Sequence, residues 1–174
     1  ESNGSMFDPE HWKQIANLGQ YELDVHITVH SFEELVFQFL SGTSIGVQKV
    51  CDNLNFIKKL RAEGVVNFFE IATVVQEANF RELPRFTERC IYDYNADSVR
   101  IRSYFPYGCR AKEFEWFCDV RNPKHPFYEE YLDVMKHPIF NNERVYMWSG
   151  NEKSGIGAHP FETGYKKYRG YYEM

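Results

Sequence analysis

The chain has little with which to staple itself. Its four cysteines, Cys51, Cys90, Cys109 and Cys118, are too few and too scattered for a disulfide framework in 174 residues. Cys51 and Cys90 fall on apolar stripes of helical period, where a free thiol behaves as a small hydrophobe. That usage implies a reducing compartment, cytoplasmic or nuclear. Cys-x-x-Cys knuckles are lacking too, so Cys109 and Cys118 with His125 and His137 make a poor zinc set. Scattered thiols and solvated histidines account for them better. No apolar run is long enough to span a bilayer and no secretory pattern is present, so no membrane partner is expected. Positive charge is not in excess: the net charge of −5 argues against nucleic-acid binding by the whole domain, while leaving room for a local basic patch. The stretch Gly150 to Gly155 has Glu152 where a phosphate loop needs glycine, and no helix start follows it. Neither an internal repeat nor a catalytic, metal or cofactor set emerges from these patterns.

What is present is apolar and aromatic. Apolar residues make up 43% and charged residues 26%, ordinary for a globular domain long enough to bury a core. The aromatic share of 17% is high, and it fits a large core, a partner surface or base-stacking platforms alike. The chain is organised around Val65 to Asn95. There Phe68, Ile71, Val75 and Ala78 follow a helical period, and Leu83, Phe86, Cys90, Ile91 and Tyr94 repeat it after Pro84. The spacing predicts two short helices with a tight corner, and neither stripe carries a catalytic group.

Before this centre, Asp8-Pro9-Glu10 reads as a helix start, with Trp12 and Ile15 on its apolar side. Tyr21 to His30 alternates Leu23, Val25, Ile27 and Val29 against Asp24, His26, Thr28 and His30, a half-buried strand. Ser31 with Glu34 reads as a capping box for a helix whose apolar face is Phe32, Leu35, Val36, Phe39 and Leu40, ended by Gly42. Ser44 to Arg61 predicts another helix, capped near Gly64. After the centre, Ser98 to Phe105 alternates Val99 and Ile101 against Arg100 and Arg102, a strand. Phe114, Trp116, Phe117 and Val120 form a bulky cluster, Tyr128 to Lys136 predicts a helix, and Val145 to Trp148 a last short strand. From Gly150 onward glycine and tyrosine replace aliphatics. The expectation is a predominantly helical α+β domain over residues 6–148 with a small sheet, followed by an irregular Gly/Tyr-rich arm over 149–174.

The order of strand, capped helix and paired short helices resembles the second half of a BTB/POZ domain. The residues that carry the likeness are the stretch Ser31-Phe32-Glu33-Glu34-Leu35-Val36-Phe37-Gln38-Phe39-Leu40-Ser41-Gly42 in the first helix, set beside the family's Phe-x-x-Leu-x-x-Phe, then Ala78-Asn79-Phe80, Leu83, Cys90 and Ile91-Tyr92 in the pair. The segment from Asn95 to Trp148 is similar to the BACK-like helical extension that often follows such domains. The resemblance implies a non-catalytic adaptor, self-associating or docking a cullin-type scaffold through Phe32, Phe37 and Phe39. A surface of that kind needs an apolar centre with a polar rim.

Two other function classes have a sequence handle. Tyr165, Lys166, Lys167, Tyr168 and Arg169 interleave cations with aromatics, which is the chemistry of single-stranded nucleic-acid binding. His26-Ile27-Thr28 is similar to the His-x-Thr motif of two-histidine phosphoesterases, where paired histidines act as base and acid. That chemistry needs a second copy facing the first, and His30-Ser31 lies too near to supply it. A pocket gathering His26, His30 and a carboxylate would mark an enzyme. Otherwise the three polar residues are simply the wet face of a strand.

Overall fold

Strands are written in this sequence either as alternating polar and apolar residues or as unbroken apolar runs. In the computed structural model, which describes residues 2–15, 21–104 and 111–148, four such runs pair into one sheet. In chain order the elements are α1 (Pro9–Ile15), β1 (Asp24–Thr28), α2 (Glu34–Ser41), α3 (Val47–Ala62), β2 (Phe68–Val75), α4 (Leu83–Glu88), β3 (Ser98–Ser103), α5 (Lys112–Cys118), α6 (Tyr128–Val134) and β4 (Val145–Trp148). The strands lie side by side in sequence order, β1-β2-β3-β4, and every pairing is parallel. Parallel neighbours need a crossover, and the helices between strands supply it. The expected mixture of helices with a small sheet is found. The arm at residues 149–174 lies outside the described residues.

The centre of the chain differs from its helical reading. Its first half is not a helix but β2, in the middle of the sheet. Phe69, Ile71, Ala72 and Val75 are all buried, and a strand buried on both faces shows no alternation through which to recognise it. A helical stripe can be drawn through any such run. The β-branched content of Ile71, Thr73, Val74 and Val75 decides for the strand, because those side chains lose rotamer freedom in a helix and pack well on a pleat. The second half is helical as expected: a short 3-10 turn, α4 with Pro84 in its first turn, and a π turn over Arg89–Asp93. Leu83, Phe86, Cys90, Ile91 and Tyr94 are all buried.

Two local readings are also revised. Ser31 does not box Glu34; its Oγ accepts from the Glu33 amide at 2.9 Å. Glu34 instead reaches forward and accepts from the Val47 amide at 2.8 Å, satisfying a free donor at the start of α3. On α2 the buried side chain is Phe37, while Leu35 (80% exposed) and Phe39 (67%) point outward. Residues ahead of the expected domain start at Met6 belong to the fold as well. Ser2 bridges the outer edge of β1, donating to the His26 carbonyl and accepting from the Thr28 amide. Gly4 passes so close to Ile27 that a Cβ there would stand 2.8 Å from Ile27 Cγ2.

The pleat sorts the strand residues onto two faces. Val25, Ile27, Val29, Phe69, Ile71, Val75, Val99, Ile101 and Val145 join Val50, Leu54, Ile57 and Leu60 of α3 and Phe86 of α4 in one apolar core. The register places the alternate residues in rows on the other face: His26 beside Glu70 and Ser98, then Thr28 beside Ala72, Arg100 and Tyr146. One face is therefore a core, and the other is polar.

Candidate functional site at the carboxyl ends of the strands

A carboxylate within an apolar strand needs partners, since an isolated buried charge is too costly to keep. Glu70, in the middle of β2, is 1% exposed. Its Oε1 meets His26 Nδ1 at 3.0 Å and Arg100 Nη2 at 2.5 Å. Its Oε2 accepts from Ser98 Oγ at 3.3 Å and from the Tyr146 hydroxyl. All four strands contribute to this network. Burial pushes the Glu70 carboxyl up, but the hydrogen bonds from His26 and Tyr146 and the charge of Arg100 outweigh it and hold the group below its ordinary value. Burial and the neighbouring Glu70 push the Tyr146 phenol up, so it stays a donor. An ionised carboxylate only accepts, which requires His26 to present Nδ1–H.

The next polar row lies at the carboxyl ends, where open parallel sheets and barrels bind their ligands. Arg102 on β3 donates from Nη2 to Thr28 Oγ1 on β1 at 2.8 Å. His30, two residues beyond Thr28, has a buried Nδ1 with no hydrogen-bond partner. Burial first, and the charge of Arg102 second, lower its pKa, so the ring is uncharged at neutral pH. The position of His30 is fixed through its carbonyl. Asn79 Nδ2 donates to it at 2.8 Å and to the Val74 carbonyl at 3.0 Å, while Asn79 Oδ1 accepts from the Gln76 amide at 2.8 Å. Arg121 closes the end of β3, donating to Ser103 Oγ and to the Tyr104 carbonyl. Thr28 and His30 also line a cavity of about 230 Å³, together with Phe37 and Leu40 of α2 and Thr43 and Ile45 beyond it.

Of the residues singled out from the sequence, Phe32 is buried, stacked on Phe86 at 4.9 Å with the Arg89 guanidinium over its ring. Phe37 is buried and walls the cavity, so Phe39 is the exposed member of the trio. Tyr165, Lys166, Lys167, Tyr168 and Arg169 lie outside the described residues, as does Cys109. His26 and His30 share the polar face as read, but their surroundings differ: His26 Nδ1 meets Glu70 while His30 lines the cavity. The downstream histidines spend their rings on backbone. His125 Nε2 bonds the Phe117 carbonyl, its Nδ1 accepts from the Phe127 amide, and His137 Nδ1 accepts from Ile139. Among the described residues no cluster of three or more His, Cys, Asp or Glu is placed to hold a metal ion.

Sequence reading gives Glu70, Asn79, Arg100, Arg102 and Tyr146 no role in a polar site. One signal was available, the single acid in the run Phe68–Val75. Arg100 and Arg102 stand out in the sequence only as the residues that alternate with Val99 and Ile101, and what they face depends on a register that periodicity does not supply.

No protein-family model matches the chain, and no curated protein matches it.

Proposed function

We propose that the chain binds a small anionic molecule, a carboxylate or a phosphate, at the carboxyl ends of β1, β2 and β3 on the polar face. The observation that carries this reading is the Arg102 guanidinium set against Thr28, which together with His30 lines a cavity. A guanidinium keeps its charge at any physiological pH and offers a planar fork of donors that suits both kinds of oxyanion. The Glu70 network supports it from one row below, holding β1 to β4 in a fixed register. Titrating acetate and inorganic phosphate separately against the protein tests the reading and tells the two anions apart. Arg102→Gln is expected to weaken the anion that binds at least tenfold, with Arg102→Lys retaining part of the affinity. Unchanged affinity in Arg102→Gln contradicts it.

The adaptor reading stands as a second proposal, favoured by one observation. Leu35 and Phe39 sit one turn apart on α2 and are both largely exposed. A self-associating or scaffold-docking surface would centre on these two rather than on Phe32 and Phe37.

A further inference from the structure

The cavity beside β1 is lined in part by the first residues of the chain, and those residues are tied down. Ser2 bonds the His26 and Thr28 backbone, and Asn53 Nδ2 donates to the Gly4 carbonyl at 2.6 Å and to the Ser5 carbonyl at 3.1 Å. Asn3 and Ser5 therefore line the cavity from a fixed loop. Asn3 Oδ1 accepts from the Ser5 amide at 3.1 Å and from Ser5 Oγ at 2.8 Å. That leaves Nδ2 as the donor Asn3 can offer and the Ser5 oxygen as an acceptor. On the α2 side, Ser41 Oγ donates to the Phe37 carbonyl and keeps lone pairs with which to accept. Thr43 Oγ1 accepts from the Ile45 amide at 3.1 Å and keeps its hydroxyl proton to give. His30 Nδ1 is buried with no partner, and such a nitrogen carries a desolvation cost until something bonds it.

These groups are mixed in hydrogen-bonding sense and carry no charge. Among the described residues lining the cavity only His30 is ionisable, and its ring is uncharged at neutral pH. Arg102 is not part of this lining, so an ion held inside would meet no opposite charge to offset its desolvation. A flat heterocycle is a poor fit as well, because Phe37, the one phenyl ring in the lining, is only 5% exposed and has little face to stack on. A hydroxyl both donates and accepts, and several on one carbon chain match what the walls offer. We infer that this cavity binds a short neutral polyol, with its hydroxyls on Asn3, Ser5, Thr43 and the His30 ring and its carbon chain against Leu40 and Ile45. The size agrees: at roughly 30 Å³ per water, about 230 Å³ holds some seven or eight water-sized groups, the bulk of a four-carbon polyol. The inference goes beyond the anion site and uses no contact of Arg102, so either can fail without the other.

The test titrates erythritol and butane-1,4-diol separately against the full chain, follows amide chemical shifts, and reads the ratio of the two affinities. The diol keeps the carbon chain and the end hydroxyls but lacks the inner pair. Wild type is expected to favour erythritol by about tenfold or more, as two net hydrogen bonds allow. In Asn3→Ala and in His30→Phe the ratio should fall by about threefold each, the loss of one such bond. In His30→Asn part of the preference should return, since that side chain carries an amide near the place of Nδ1. Because the ratio is internal to each variant, partial unfolding lowers both affinities and leaves it unmoved. Equal affinities in wild type overturn the inference, and so does a preference that survives unchanged in both Asn3→Ala and His30→Phe. Failure of both probes to bind overturns it as well.

Discussion

At the scale of single residues, Glu70 governs the polar face. A buried ion pair is weak evidence for stability, yet removing one partner leaves the other charge stranded. Glu70→Ala strands Arg100, whose side chain is 15% exposed, and should cost about 3–5 kcal/mol in urea unfolding. The pH dependence has a definite sign. The folded Glu70 carboxyl sits below its ordinary value of 4.5, so its contribution is complete above that pH and is lost as the pH falls through the lower, folded value. Wild type should therefore lose stability on acidification below about 4.5, and Glu70→Gln should show a flatter acid limb. An identical acid limb in the two proteins would show that the network does not hold Glu70 ionised. Glu70 also marks how far the sequence was legible. Its position in an apolar run was visible, but its partners come from β1, β3 and β4, and only the sheet register brings them within reach.

At the scale of elements, the helices were the easier part to read. Proline at the start of α4, glycine after α3 and an apolar stripe in each are local signals, and α3, α4 and α6 follow them. The strands divided by environment. β1 and β3 alternate because one of their faces is polar, so period two shows through. β2 is buried on both sides, loses that period and was readable as a helix. Asn79 connects the exit of β2 to the end of β1, and it is 1% exposed with three hydrogen bonds to backbone groups. Asn79→Ala leaves those groups without their partner and should cost about 1–3 kcal/mol. It should also weaken anion binding, because the His30 carbonyl loses its anchor. A variant that loses stability but binds acetate or phosphate as wild type does would separate this staple from the site.

At the scale of the whole molecule, the two proposed functions use different surfaces. The anion site lies on the polar face at the carboxyl ends, whereas Leu35 and Phe39 project from α2 into solvent. Substituting both with serine should change stability little, since exposed positions away from caps and ion pairs seldom shift it by more than about 0.5 kcal/mol each. If α2 docks a second copy or a cullin-type scaffold, light scattering after gel filtration should show an assembly in wild type and a monomer in Leu35→Ser/Phe39→Ser. Equal masses in both would remove the adaptor reading and leave the anion site untouched.

The measurement that tests the central claim most directly is amide chemical-shift mapping during titration with acetate and, separately, inorganic phosphate. The account predicts that one of these anions perturbs a connected set at the carboxyl ends: Thr28 to Ser31, Val75 to Asn79 and Ser103 to Tyr104. It also predicts that the response disappears in Arg102→Gln. Shifts scattered over the surface, or a connected set that persists without Arg102, would contradict it.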